Sequence, residues 1–420
     1  MKSEETDLIE QPVQQARGTT RRLSKDFALV VLCCRWPLTE TVLAAIRDMV
    51  ADVDFTRVVR IADRHRVQGL VYAALRAAKV ALPMAAEASL AASARQIALR
   101  GIKMAAEASR LAHLASQAEI PILILKGAPL AQLAYGTVAL KHASDIDLAI
   151  APTDLARARA LLSAAGYAAR PVVVAKDEPW MNSAQQILVE LHTGLVNHPS
   201  WLSAFEDGTS VQNVSIGAST VPTLDPDRLF AYLCVHGASH CWSRLKWLAD
   251  FAALTAALSP ADITRCYARA VRWGAGRSVG QAVILSAELF GMRLEPDFEA
   301  RLRRDPVVRC LIWNAYHSFS KHNETEELDA RALSTLRIHL AQLVFTQGWR
   351  NRATLLVGKL RTRQPGDTGP PPSVGFWPIQ SLRWVRRRFQ RRKALRARAS
   401  RSTRSVRAVD PALQSSRRDE

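Results

Sequence analysis

Along most of the chain, apolar residues recur every three to four positions between Arg, Asp and Glu, the spacing of helices with one buried face. Residues 38–118 carry this pattern as several helices. Residues 226–345 repeat it with good start signals: Asp225-Pro226 as N-cap and first-turn proline, and Ser259-Pro-Ala-Asp262 as a capping box. The middle reads differently. Ile120-Pro-Ile-Leu-Ile-Leu125 is a short run of strand length rich in β-branched residues, and Ile146 to Ile150 and Ile187 to Leu191 read as two more strands. Between those two a helix is expected from a Thr153 cap to Gly166 as its terminator. Strands are therefore expected only around 120–220, enclosed by helical segments, which makes an α+β protein with its sheet at the centre. No fixed-period repeat is present.

This pattern divides the chain into a disordered N-terminus (1–25), a helical segment (26–118), a central segment (119–225), a second helical segment (226–355) and a basic Pro/Arg-rich tail (356–420). Composition changes the picture little: 48% apolar and 23% charged residues exclude global disorder and collagen-like structure. Charge changes it more. The net charge is +19, and between Arg361 and Arg407 fourteen Lys and Arg stand against Asp367 alone. That stretch opens with a proline-rich run, Gln364 to Pro372, and continues through Ser381 to Lys393, where Leu382, Val385 and Phe389 share a helical face. Such a run is a solvated tail, or it contacts an anionic membrane surface or nucleic-acid phosphates.

The longest uninterrupted apolar run, Phe27 to Cys34, has eight residues, which excludes a membrane span. The first 25 residues carry both signs of charge and no signal-peptide core. Six cysteines without CxxC spacing support neither a zinc site nor a disulfide framework, and read as buried thiols of a cytosolic protein. The expected location is cytoplasmic, or peripheral to the membrane through the tail.

The sharpest chemical feature is Ser144-Asp-Ile-Asp-Leu148. Side chains at i and i+2 of a strand point to one side, so Asp145 and Asp147 project together. Two ionised carboxylates that close repel unless a cation lies between them, and apolar neighbours sharpen the repulsion. Hard oxygen ligands of this kind describe a Mg²⁺ (or Mn²⁺) site. Alone, the pair would read as a solvated strand end carrying two surface acids. Upstream, the first strand runs into Lys126-Gly127-Ala128-Pro129 and a helix, where backbone N–H groups and the helix N-terminus can meet an anion. Downstream, Glu190 sits in the apolar strand Leu188-Val-Glu-Leu-His192 and needs a partner, either an arginine or a shared metal. His236 and His240 lie four apart on one helical face, but no Glu stands between them as a zinc-protease helix requires. Structural or nucleotide-lining roles suit them better.

In this order, Leu-Lys-Gly, Asp-Ile-Asp-Leu and an isolated Glu-Leu-His resemble the DNA polymerase beta-type nucleotidyltransferase superfamily, and more closely the bacterial family of uncharacterised nucleotidyltransferases. Ala62-Asp-Arg-His-Arg-Val67, Ile120 to Gly127, Leu233 to Trp242 and Arg244-Leu-Lys-Trp-Leu-Ala-Asp250 extend the resemblance over about residues 40–355. It implies a polymerase-beta-like nucleotidyltransferase fold, a small mixed sheet with flanking helices, for the central segment, embedded between the helical ones. It also implies that Asp145, Asp147 and Glu190 bind metal and catalyse. Lys126, Gly127 and Lys141 would bind nucleotide, with His192, His236, His240 and Asp250 in support. Two positions depart from the pattern. Ala128 follows the glycine where the superfamily has serine, and Lys141 stands where an arginine is more usual, keeping charge without the bidentate fork.

The expected function is metal-dependent transfer of NMP from an NTP, ATP included, to an acceptor hydroxyl with release of pyrophosphate. The acceptor (small molecule, sugar, lipid or protein), the base and the oligomeric state stay open. Two alternatives stand beside it. One is an inactive nucleotide-binding or regulatory protein on the same fold. The other is a helical protein acting through its basic tail on a membrane surface or nucleic acid.

Overall fold

The computed structural model describes residues 23–170, 177–196, 198, 201, 211–319, 321–326 and 334–361. Nearly all of the expected disordered N-terminus and most of the basic tail, including its amphipathic stretch, lie outside the described residues.

The N-terminal helical segment holds α1 (Lys25–Cys33), α2 (Glu40–Met49), α3 (Phe55–His65), α4 (Gln68–Ala77) and α5 (Met84–Gln117). Then follow β1 (Ile122–Ile124), α6 (Ala128–Tyr135), β2 (Asp145–Ile150), α7 (Leu155–Ala164), β3 (Ala168–Ala169), β4 (Asp177–Asn182) and β5 (Ile187–His192). A hairpin of β6 (Val211–Ile216) and β7 (Ser219–Leu224) closes the central part. The rest is helical: α8 (Pro226–Ser239), α9 (Leu245–Leu254), α10 (Pro260–Arg272), α11 (Gly276–Phe290), α12 (Pro296–Arg304), α13 (Pro306–Phe319), α14 (Ser334–Phe345) and α15 (Trp349–Arg361). The caps read from sequence are present at α8, where Asp225 accepts from the N–H groups of Asp227 and Arg228, and at α10, where Ser259 and Asp262 form the reciprocal box.

The main sheet is mixed, in the order β1-β2-β5-β4-β3. β2 and β5 run parallel and the other neighbours antiparallel. The three expected strands, β1, β2 and β5, are neighbours in it, with β1 at one edge. β3, β4 and the hairpin escape the sequence pattern, since β3 has two residues and β4 reads Asp-Glu-Pro-Trp-Met-Asn with no apolar alternation. Thr153 is not the cap of α7. It lies in a short 3₁₀ turn, Pro152–Asp154, and the helix begins one residue after that turn's acid. Gly166 does end the helix, at φ +88°.

Period-two alternation decides which side of the sheet carries chemistry. Ile146, Leu148 and Ile150 of β2 and Ile187, Val189 and Leu191 of β5 are buried together against Leu111 and Ala115 of α5 and Leu162 of α7. The intervening positions, Asp145 and Asp147 on β2 and Glu190 and His192 on β5, therefore emerge on the opposite face. A second, larger core unites α1, α3, α4, α8, α9, α11 and α13. The hairpin is tied to the sheet by the buried Thr223, whose hydroxyl donates to the Ile124 carbonyl at 2.6 Å. Cys33, Cys34, Cys234 and Cys241 are buried thiols, as the sequence suggests, but Cys266 is half-buried and Cys310 exposed. Among the described residues, no helix is long and apolar enough to cross a membrane.

Candidate active site

A small, partly open cleft lies over the polar face of β2, between α6, α8 and α9. Lys126, Gly127, Lys141, His142, Asp145, Asp147, His236, Lys246, Trp247 and Asp250 are among the residues that line it.

The parallel register sets Asp147 directly beside Glu190. At the end of β5, His192 turns its Nε2 to 3.3 Å from Asp147 Oδ1 and 3.8 Å from Glu190 Oε2. One ligand atom from each of the three lies within 4.8 Å of the others. Two carboxylates and an imidazole at that spacing fit a divalent cation, the carboxylates suiting hard ions and the imidazole adding tolerance for a transition metal. Asp145 is outside this group. It lies at the mouth of β2, half-buried, where the Ser144 hydroxyl donates to its Oδ1 at 3.1 Å.

Opposite the acids stand cations. Lys126 leaves β1 just before α6 and puts Nζ 3.2 Å from Asp147 Oδ2. Burial alone would pull the Lys126 ammonium down, but Tyr232, Asp147 and Asp145 outweigh it, so its pKa is raised and the charge is kept. Burial likewise opposes ionisation of Asp147. The Lys126 charge and the His192 hydrogen bond more than compensate, and hold the carboxyl well below its usual range. Gly127 caps α6 at φ +69°, a conformation that side chains disfavour, and no side chain caps this helix start. Pro129 in the first turn has no N–H, so Ala128 and Leu130 are the backbone donors this helix start can offer an anion beside Lys126.

Lys141 lines the other wall. Its ammonium is 3.5 Å from Asp250 Oδ2, while the Tyr135 hydroxyl donates to Asp250 Oδ1 at 2.9 Å. Asp250 is therefore the buried anchor of Lys141. His236 lines the cleft, and its pKa is driven well below normal by burial, then by Lys126 and His240. His240 stacks on Trp247 with ring centroids 5.0 Å apart.

Three contributors were missed from sequence. Lys246, in the first turn of α9, faces the cleft with its pKa lowered to about 8, by burial first and then by Lys141. His65, from the Ala62-to-Val67 motif, is fully buried and its Nδ1 accepts the Leu245 N–H at 3.0 Å, capping the helix that carries Lys246. Burial, with Arg64 and Arg244, lowers its pKa well below normal, which leaves that nitrogen free to accept. Arg100 of α5 donates to the carbonyls of Ser144 at 3.0 Å and Gln186 at 2.9 Å, pinning the entries to β2 and β5. Beside it, Gly101 lets α5 approach the loop before Lys141: a Cβ there would lie 2.2 Å from the Val138 carbonyl oxygen, and one at Gly69 2.6 Å from that of Leu140.

The family described as "Uncharacterised nucleotidyltransferase" matches residues 51–291, more than half of the chain. The chain belongs to this family. The match runs from before α3 to just past α11, and so takes in every residue of the cleft together with His65 and Arg100. No curated protein and no solved structure matches the chain. Membership supports nucleotidyl transfer in general terms, with an NTP as substrate.

Proposed function

We propose that the protein is a divalent-metal-dependent nucleotidyltransferase on a polymerase-beta-like core spanning residues 119–225, with the helical segments 26–118 and 226–355 closing the cleft. One observation carries this reading. In a chain of a nucleotidyltransferase family, Asp147 belongs both to a metal-capable group with Glu190 and His192 and to a cleft that Lys126, Lys141 and Lys246 also line. An acid that can gather a cation and lysines that can gather phosphate thus face one another.

Asp147 and Glu190, with His192 beside them and Asp145 at the entrance, would hold Mg²⁺ or Mn²⁺. When bound, such an ion supplies Lewis-acid charge neutralisation of phosphate oxygens. Lys126 and the N-terminus of α6 take the β- and γ-phosphates, with Lys246 and Lys141 on the opposite wall. Glu190, a third exposed, takes the proton of the acceptor hydroxyl. That oxygen attacks the α-phosphorus, the bond to the bridging α,β-oxygen breaks, and the lysines steady the departing pyrophosphate. His236, kept neutral, lines the nucleotide without adding charge. Asp250 acts through Lys141 as a positioning residue.

A second reading is favoured by one arrangement: Lys126 is paired with Asp147, and Ala128 offers no hydroxyl to a phosphate. It describes a nucleotide binder without turnover. Titrating the wild type and Asp147→Asn with Mn²⁺ and an NTP by calorimetry tests the site. Mutual enhancement of metal and nucleotide binding in the wild type, lost in the variant, is the expected result. Equal binding by both proteins would reject it.

A further inference from the structure

The last described helix, α15, exposes several large apolar side chains along one stripe. Trp349 is 74% exposed, Leu356 42% and Val357 40%, and Ala353 is exposed between them. These positions, i, i+4, i+7 and i+8, form one stripe of the helix. The helix is held from another side, where Leu355 is buried and Arg352 Nε donates to the Thr346 carbonyl at 3.0 Å. Basic residues border the apolar stripe: Arg350 lies over the Trp349 ring at 5.4 Å, and Arg352 is two positions further on. The sequence holds no acid from Ala330 to Gly366 but seven Lys and Arg, and beyond Arg361 it continues into the basic tail.

We propose that α15 is a docking surface for an anionic lipid bilayer, with Trp349, Leu356 and Val357 entering the headgroup boundary and the arginines meeting lipid phosphates. Charge decides the occupant. The chain's own tail and a second copy of α15 are both strongly basic and would be repelled from this face. Nucleic-acid phosphates would satisfy the arginines but leave Leu356 and Val357 in water. An anionic membrane surface takes both parts of the pattern, the indole included. This surface is independent of the chemistry in the cleft.

The test uses the full chain and a Trp349→Ser/Leu356→Gln/Val357→Ser variant in vesicle flotation. The vesicles are phosphatidylcholine, alone or with phosphatidylglycerol at roughly one lipid in three. All three positions are exposed, so the variant should keep the wild-type melting temperature. Wild-type protein should float with the anionic vesicles, and the variant should lose at least about tenfold in partitioning. The proposal is overturned if the wild type does not float. It is also overturned if the variant floats equally, which would give binding to the tail alone. Preferential binding of the wild type to an RNA or DNA oligonucleotide, abolished by the same substitutions, would overturn it in favour of nucleic acid.

Discussion

Replacing Gly101 by alanine tests whether α5 truly frames the site. The added Cβ would lie 2.2 Å from the Val138 carbonyl oxygen and 3.2 Å from its carbon, about 1 Å short of ordinary contact. Both partners are backbone, so no side chain can rotate away. Helix propensity favours alanine by about 1 kcal/mol, whereas overpacking of this severity costs about 3 kcal/mol. The net expectation is a loss of about 2 kcal/mol, which lowers the melting temperature by roughly 2 °C in a chain of this size. The loop must yield between Gly136 and Ser144, and it carries Lys141 and leads into Asp145. Nucleotide affinity at 25 °C should therefore fall along with stability. Scanning calorimetry and nucleotide titration measure the two effects, with Gly194→Ala as control. Nothing lies within 4 Å of a Cβ at Gly194, and that change should be neutral or slightly stabilising. A Gly101→Ala protein as stable as wild type would refute the close approach of α5 to this loop.

Three further outcomes are expected. His65→Ala should cost about 1–3 kcal/mol in denaturant unfolding by orphaning the buried Leu245 N–H, with the lost ring contact to Phe27 added; no loss would mean that α9 is not capped this way. His142 has its pKa lowered to about 4, by burial first and then by Lys246, Arg66 and Lys141. Between that value and the ordinary 6.5 the unfolded chain binds the extra proton, so the His142 contribution is complete above pH 6.5 and drains away as pH falls towards 4. His142→Asn should flatten that part of a melting-temperature profile, and an unchanged slope would count against it. Lys246, with its pKa lowered to about 8, should lose its charge as pH rises past that value, weakening nucleotide binding. Lys246→Arg should hold affinity constant across the same range, and a parallel decline would remove Lys246 from the phosphate site.

Much of the cleft was legible in sequence because its acids and glycine interrupt strongly patterned segments. Asp145 and Asp147 break an otherwise apolar strand, Glu190 breaks another, and Gly127 stands between strand and helix. Strand periodicity then places the acids on one face without any knowledge of the tertiary structure. What periodicity cannot give is register between strands. The pairing of Asp147 with Glu190 brings His192 into the metal-capable group and leaves Asp145 out of it. Residues that act across long sequence separations were invisible for the same reason. His65 reads as one polar residue among arginines and Arg100 as one charge on a solvated helix, yet they reach Leu245 and Ser144. Lys246 lies within the Arg244-to-Asp250 motif, but one lysine in a first helical turn carries no signal of its own.

The most direct measurement supplies the protein with Mg²⁺, a cell extract as acceptor pool, and ATP labelled at either the α- or the γ-phosphate, the remaining NTPs following in turn. Nucleotidyl transfer predicts that only the α-label moves to acceptor, that the γ-label appears in pyrophosphate, and that Asp147→Asn or removal of metal by EDTA abolishes both. Transfer of the γ-label to acceptor, or undiminished α-label transfer by Asp147→Asn, would contradict it.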